Sequence, residues 1–326
     1  MVYRHPNTDE IIQGNRRALA RAITLIESGR SGHRAEARAL LDEAGSTNRQ
    51  ALRIGLSGTP GAGKSTFTES FGMMLADQGL KIAVLAIDPS SNRSGGSILG
   101  DKTRMERLTR HPNAFIRPSP SQFAPGGVAR RTREVIALCE AAGFDVVIVE
   151  TVGVGQSEVM VSEMTDIFAL LLAPAGGDEL QGVKRGIMEI ADLIFVNKAD
   201  GDLKAQAIRT CADYAGALRL MRVRKGNPEG FPKAMTISAI EEIGLQQAWE
   251  EIRALADWRK ENDIWDSTRT AQAELWFMRE VERGWLALLD ADPDRRALKE
   301  TLRAEVARGR IRPDAAAAKL LSKMQS

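Results

Sequence analysis

Residues 54–68 read I-G-L-S-G-T-P-G-A-G-K-S-T-F-T, and the fold hangs on them. Gly58 to Ser65 fits G-x-x-x-x-G-K-S/T. The apolar run before it predicts a strand, and the stretch after it predicts a helix. In that context Gly58, Gly61 and Gly63, with Ala62 between them, let backbone N–H groups wrap a β-phosphate. The helix N-terminus that follows adds a favourable dipole. Lys64 is then expected to bridge the β- and γ-phosphates, and the Ser65 hydroxyl to bind Mg²⁺, with Thr66 beside it in the first helical turn. Outside a strand–loop–helix setting the same residues would be a glycine-rich turn with a chance lysine.

Working outward, short β-branched runs alternate with helical stretches: IGLSG, IAVLAID, AFIRPS, FDVVIVET, IFALLLAP, LIFVNKAD and MTISA. Repeated strand–helix units of this kind predict an α/β fold with a mostly parallel sheet. The strand runs are continuously apolar, which suits strands covered by helices on both faces. Before them, apolar residues at Ala18, Ala22, Leu25 and Ile26 have helical spacing, broken near Gly29–Gly32, with a second helix following. After Trp258 the alternation stops, and from about Ser267 the chain reads as helix. The expected organisation is an N-terminal helical extension over 1–50, a nucleotide-binding domain over 51–262 and a C-terminal helical arm over 263–326.

Composition narrows the function. Lys and Arg total 45 against 43 Asp and Glu, with no block of like charge. That argues against a nucleic-acid stripe or a polybasic membrane anchor. The two cysteines, Cys139 and Cys211, fit buried thiols in a reducing compartment. The opening residues have no apolar signal segment, and no run is long enough to span a membrane. The expected location is cytoplasmic.

Asn197-Lys198-Ala199-Asp200 follows the run LIFV. An Asp200 carboxylate there can accept from N1–H and N2–H of guanine, donors that adenine lacks in that place. Each lost charge-assisted bond costs about 1.5–3 kcal/mol, so guanine is preferred. Ser238 and Ala239, in T-I-S-A after another strand, can offer a backbone N–H to guanine O6. GTP and GDP are therefore the expected ligands, with Mg²⁺.

The strand FDVVIVE ends in Glu150-Thr-Val-Gly153, where nucleotide hydrolases more often carry Asp-x-x-Gly. Glu150 is one methylene longer and is expected to reach Mg²⁺ through water. Val154 cannot orient a nucleophilic water; Gln156 is either a substitute or a loop amide. Slow intrinsic hydrolysis, completed by a partner, is the expectation. Asp88 ends a strand, where an open α/β sheet places ligands, and can reach the Mg²⁺ shell directly or through water. Asp101 and Arg104 read equally as helix-capping residues or as switch residues.

The phosphate loop, DPSS…GGSILGDKTRM (88–105), VETVGVGQSE (149–158), GDELQGVKRGI (177–187) and NKAD together resemble the MeaB/ArgK family, as does GNRRALARAITLIES (14–28). The resemblance covers most of the chain and is weakest in the last sixty residues. It implies a P-loop GTPase of the class that includes signal-recognition and nickel-insertase proteins. It further implies a chaperone of adenosylcobalamin-dependent acyl-CoA mutases, chiefly methylmalonyl-CoA mutase, that gates cobalamin loading and helps release inactivated cofactor. The implied partners are the mutase, the cobalamin adenosyltransferase that supplies it, and a second copy of the chain. Residue by residue, Lys64 and Ser65 match the phosphate-loop pair, Asp88 the magnesium-linked aspartate, Asp101 a switch carboxylate, and Glu150 and Gly153 the family's own Glu-x-x-Gly. Asp178, Gln181 and Lys184 fall in the third switch, which senses the mutase. Without the resemblance Lys184 reads as a solvated helix lysine; with it, the ammonium is a candidate to offset γ-phosphoryl charge. SPSQFAPGGVA (119–129), PAGG at 174–177 and Arg185 depart from the family pattern. They leave the mutase open, with isobutyryl-CoA and 2-hydroxyisobutyryl-CoA mutases as alternatives.

In AQAELWFMREVERGWLALL (271–289), Leu275, Met278, Val281 or Glu282, Trp285 and Leu288-Leu289 form an apolar helical stripe that Trp276 and Phe277 widen. Such a helix is expected to pack on a second subunit as well as its own chain. Two rival functions are a metal-insertion GTPase and a kinase for a protein or amino acid. The first wants His/Cys clusters, and His5, His33 and His111 are far apart. The second wants an acceptor-activating carboxylate, and none stands out.

Overall fold

The structure, a computed structural model, describes residues 6–28, 30, 32–87, 105–119, 125–151, 157–174, 185–221 and 226–323. The chain forms two compact units, Met1–Asp266 and Ser267–Ser326. The first is built on a seven-stranded sheet of β1 (Leu52–Gly58), β2 (Ile82–Ile87), β3 (Ala114–Ser119), β4 (Val146–Thr151), β5 (Ile167–Leu172), β6 (Leu193–Val196) and β7 (Lys233–Thr236). The order across the sheet is β3-β2-β4-β1-β5-β6-β7, and every pairing is parallel. Each of the seven runs expected from the sequence carries a strand, but the last is offset: β7 begins at Lys233 and takes only Met235 and Thr236 of MTISA, and of LIFVNKAD only Leu193–Val196 is strand. Strands β2, β4, β5 and β6 are buried along their whole length, as continuous apolar runs require.

The order places the site. From β1 the chain steps outward in one direction through β2 to β3. It then returns to β4, beside β1, and steps through β5 and β6 to β7 at the other edge. Parallel crossovers are right-handed, so this reversal puts helices on both faces. The crevice beyond the C-terminal ends of β1 and its neighbours is where such a sheet binds ligands. On one face, α4 (Lys64–Asp77) and α10 (Leu245–Glu261) cover Ile54, Leu56, Val84, Ile148, Ala169 and Phe195. Phe67 stacks on Phe71, whose ring meets Trp249 of α10 edge-on. The short α5 (Glu106–Arg110) packs against α4, with Leu108 fully buried. Helices α6 (Pro125–Ala141), α7 (Ser157–Ser162), α8 (Arg185–Ile190) and α9 (Lys204–Leu220) follow β3 to β6 in turn.

The N-terminal residues form α1 (Thr8–Ile12), α2 (Arg16–Glu27) and α3 (His33–Gly45). The Asn15 side chain caps α2 by accepting from the N–H groups of Arg17 and Ala18. Its apolar stripe, Ala18, Leu19, Ala22, Ile23, Leu25 and Ile26, is buried, and α2 and α3 pack on α6. A bidentate Arg34–Glu134 pair, at 2.9 and 2.6 Å, ties α3 to α6. At the N-terminal end of the sheet Arg53 grips Glu140 with two bonds of 2.9 and 2.8 Å, and Glu140 also accepts from Ala51 N.

The second unit continues α11 (Ile264–Ala291) and adds α12 (Pro293–Ala307) and α13 (Pro313–Ser322), which pack on each other. Asp292 caps α12, with Pro293 in its first turn. Along α11, Phe277, Met278, Trp285, Leu286 and Leu288 are exposed, Phe277 by 66% and Trp285 by 57%, whereas Leu289 is buried. No described helix is long and apolar enough to cross a membrane.

Candidate nucleotide site

Gly58 ends β1 opposite Leu171 of β5. A Cβ on Gly58 would lie 2.1 Å from the Leu171 carbonyl oxygen, so only glycine lets the two strands close here. Gly61 and Gly63 both have positive φ, 78° and 85°, which turns the chain back to start α4 at Lys64. The Lys64 ammonium folds over the loop, donating to Gly58 O at 2.7 Å and to Thr59 O at 3.3 Å. Burial lowers its pKa, and the charges of Glu150 and Glu158 oppose that shift. Ser65 is half-buried and Thr66 exposed in the first turn of the helix.

Two segments distant in sequence close on this loop. Asn197 is buried; its Nδ2 donates to Ala62 O at 2.8 Å and its Oδ1 accepts from Ala239 N at 2.9 Å. One side chain thus joins the phosphate loop, the N-K-x-D segment and the T-I-S-A segment. Lys198 has left-handed backbone, φ 58°, and Ala199 N donates to Ile237 O at 3.0 Å. Ser238 Oγ donates to Asp200 Oδ2, holding that carboxylate half-buried at the rim. Ser70 on α4 donates to Ala239 O at 2.7 Å, so the phosphate-loop helix also carries the base loop.

Glu150 sits at the end of β4, between Leu56 of β1 and Ala86 of β2, and is buried. Its Oε2 accepts from Thr68 Oγ1, one turn beyond Lys64, at 3.0 Å. On the other face Thr151 Oγ1 meets Ser57 Oγ at 2.9 Å, pinning the E-T-V-G strand to the strand that leads into the loop. Glu158, at the start of α7, is fully buried.

The fold therefore gathers Gly58, Gly61, Ala62, Gly63, Lys64, Ser65, Thr66, Glu150, Asn197, Lys198, Asp200, Ser238 and Ala239 at one end of the sheet. Asp88, Asp101, Arg104, Gly153, Val154, Gln156, Asp178, Gln181 and Lys184 lie outside the described residues. Sequence reasoning missed Thr68, Ser70, Ser57 and Glu158. For Ser57, Thr68 and Ser70 the available signal was a hydroxyl beside large apolar residues such as Leu56, Phe67 and Phe71; Glu158 carried none.

Fold and site define a P-loop GTPase: a parallel sheet whose central strand feeds a phosphate loop, with a guanine-type N-K-x-D segment locked to it. Comparison with known proteins agrees. The profile of the family described as "Methylmalonyl Co-A mutase-associated GTPase MeaB" matches residues 19–294. The chain belongs to that family. A putative GTPase of Caulobacter vibrioides is 49% identical over 312 residues, covering 96% of this chain and 95% of the relative. The mouse "Methylmalonic aciduria type A homolog, mitochondrial" is 44% identical, covering 97% of this chain and 78% of that protein. Among solved structures, that of a protein called "LAO/AO transport system kinase" superposes with a TM-score of 0.77 at 37% identity, over 98% of this chain and 96% of that one.

Proposed function

We propose that this GTPase is a chaperone of an adenosylcobalamin-dependent acyl-CoA mutase, methylmalonyl-CoA mutase or a close relative. In this reading it gates cobalamin loading and helps restore the mutase after cofactor inactivation. The observation that carries the reading is the family match over residues 19–294, whose description names mutase association. Lys64 holds the β- and γ-phosphates and Asp200 reads the guanine, with Asn197 and Ala239 shaping the base pocket.

The oxygen donors at the phosphate end suit Mg²⁺. A half-buried Ser65 hydroxyl and a buried Glu150 carboxylate are hard ligands. Mg²⁺ keeps several waters and takes the rest of its shell from phosphates, so it needs no cage of protein carboxylates. When bound, it neutralises phosphate charge. Ser65 would hold it directly, Glu150 through water, and Asp88 would complete the set. Asp101 and Gly153 would act in the switches, and Lys184 in the segment that responds to the mutase, which the cobalamin adenosyltransferase would also serve.

We also assign the apolar face of α11 to a homodimer and the protein to the cytoplasm. The deciding experiment mixes purified protein with candidate mutases and measures GTP turnover and co-purification. Stimulated turnover with one mutase supports the reading; no binding and no stimulation with any acyl-CoA mutase would discard it. The similar solved structure carries the name of a kinase, which favours a second reading, phosphoryl transfer to an acceptor other than water. Transfer of γ-phosphate label to a protein or amino acid would select that reading instead.

A further inference from the structure

Thr68 lies inside α4 with no exposed surface, among Phe67, Phe71 and Leu75 of the same buried helix. Nothing about that apolar setting calls for a hydroxyl; a valine has the same shape. The hydroxyl instead reaches across to β4 and donates to Glu150 Oε2 at 3.0 Å. In register Glu150 lies between Leu56 and Ala86, so β4 carries it beside the strand that leads into the phosphate loop. A buried carboxylate is held by the donors it accepts from, and a glutamate has three side-chain torsions to be fixed. A donor on the phosphate-loop helix fixes them relative to Lys64 and Ser65 themselves, since all three residues ride on one rigid element.

We infer that Thr68 is a positioning residue for GTP hydrolysis. Its hydroxyl sets the rotamer of Glu150 and so the direction in which the carboxylate meets the nucleotide's Mg²⁺ shell. The inference rests on the reading that Glu150 acts toward that shell. Lengthening the acid by one methylene, compared with an aspartate, gives reach but adds a torsion, and the threonine removes that freedom.

The test compares wild type, Thr68→Val, Thr68→Ser and Glu150→Gln, all as full-length chains. A fluorescent GDP analogue is titrated in excess Mg²⁺ and in EDTA, and GTP turnover is measured alongside. Thr68→Val is expected to keep the EDTA affinity within about twofold. Its Mg²⁺-dependent gain in affinity and its kcat are expected to fall roughly ten- to hundredfold, the loss of one hydrogen bond to a charged group. Thr68→Ser is expected to restore both. A full Mg²⁺ gain and full kcat in Thr68→Val, with both lost in Glu150→Gln, overturns the role of Thr68 alone. Loss of EDTA binding in Thr68→Val, or no rescue by serine, makes the residue structural and overturns it too. If Glu150→Gln keeps both properties, the underlying reading of Glu150 fails, and the inference with it.

Discussion

Replacing Gly63 by alanine tests the junction at which three sequence motifs become one site. The new Cβ would lie 2.7 Å from Asn197 Nδ2, closer than any carbon tolerates. Gly63 also has φ 85°, so alanine adds about 1–2 kcal/mol of left-handed strain. Relief requires Asn197 to move, and that side chain makes bonds of 2.8 and 2.9 Å to Ala62 and Ala239. Each is worth about 1 kcal/mol. Together these terms reach about 3–4 kcal/mol, and at about 1.4 kcal/mol per decade they weaken nucleotide binding at least ~100-fold. Gly61→Ala is the control. It has φ 78° and nothing within 4 Å of its Cβ, so it carries the strain without the collision. Its loss is expected to be roughly tenfold. The assay is GDP-analogue titration of both variants, with thermal melting to confirm that each is folded. Equal affinities for the two alanine variants, or Gly63→Ala within threefold of wild type, would refute the claim that Asn197 is the keystone.

Asp200→Asn is expected to weaken GTP binding and raise XTP turnover, because an amide can donate to the C2 carbonyl of xanthine; unchanged GTP affinity would remove the assignment. Arg53→Met leaves the buried Glu140 without its guanidinium, and is expected to cost about 3–5 kcal/mol in denaturant unfolding while GDP affinity holds, because the pair lies at the opposite end of the sheet from the phosphate loop. Phe277→Asp with Trp285→Asp is expected to give monomers that still bind GTP; light scattering that shows an intact dimer would place that contact elsewhere. Burial pushes both cysteine thiols up, so less thiolate is present at any given pH than for a free cysteine. A disulfide reagent is expected to label half-buried Cys211 slowly, with a rate that keeps rising above the ordinary thiol range, and to spare fully buried Cys139 until the protein unfolds.

Much of the architecture is legible in the sequence, for a local reason. A strand covered on both faces has to be apolar at every position, as I-A-V-L-A-I (82–87) and V-V-I-V (146–149) are. A loop that wraps a phosphate must supply its own backbone N–H groups, so its residues are contiguous in the chain. Gly58 to Ser65 and Asn197 to Asp200 announce their chemistry within a few residues each.

Long-range choices are not legible. Nothing in β1 says that it lies between β4 and β5, yet that order sets Gly58 against Leu171, and it brings the phosphate loop to Asn197. Hydroxyls show the limit best. Thr132 and Thr165 each bond the carbonyl four residues back in the chain. Thr68 turns the same group to Glu150, 82 residues away, and Ser70 reaches Ala239, 169 residues away. The residues beside a threonine do not tell whether its hydroxyl turns back on its own segment or reaches a distant group, because both bonds use the same short side chain. By itself the sequence determined which short segments could bind phosphate and guanine, since those geometries are made by consecutive backbone groups. Which carboxylate Thr68 orients, and that one asparagine joins all three segments, was decided only by the packing of α4 against β4 and the base loop, contacts that exist once the sheet has closed.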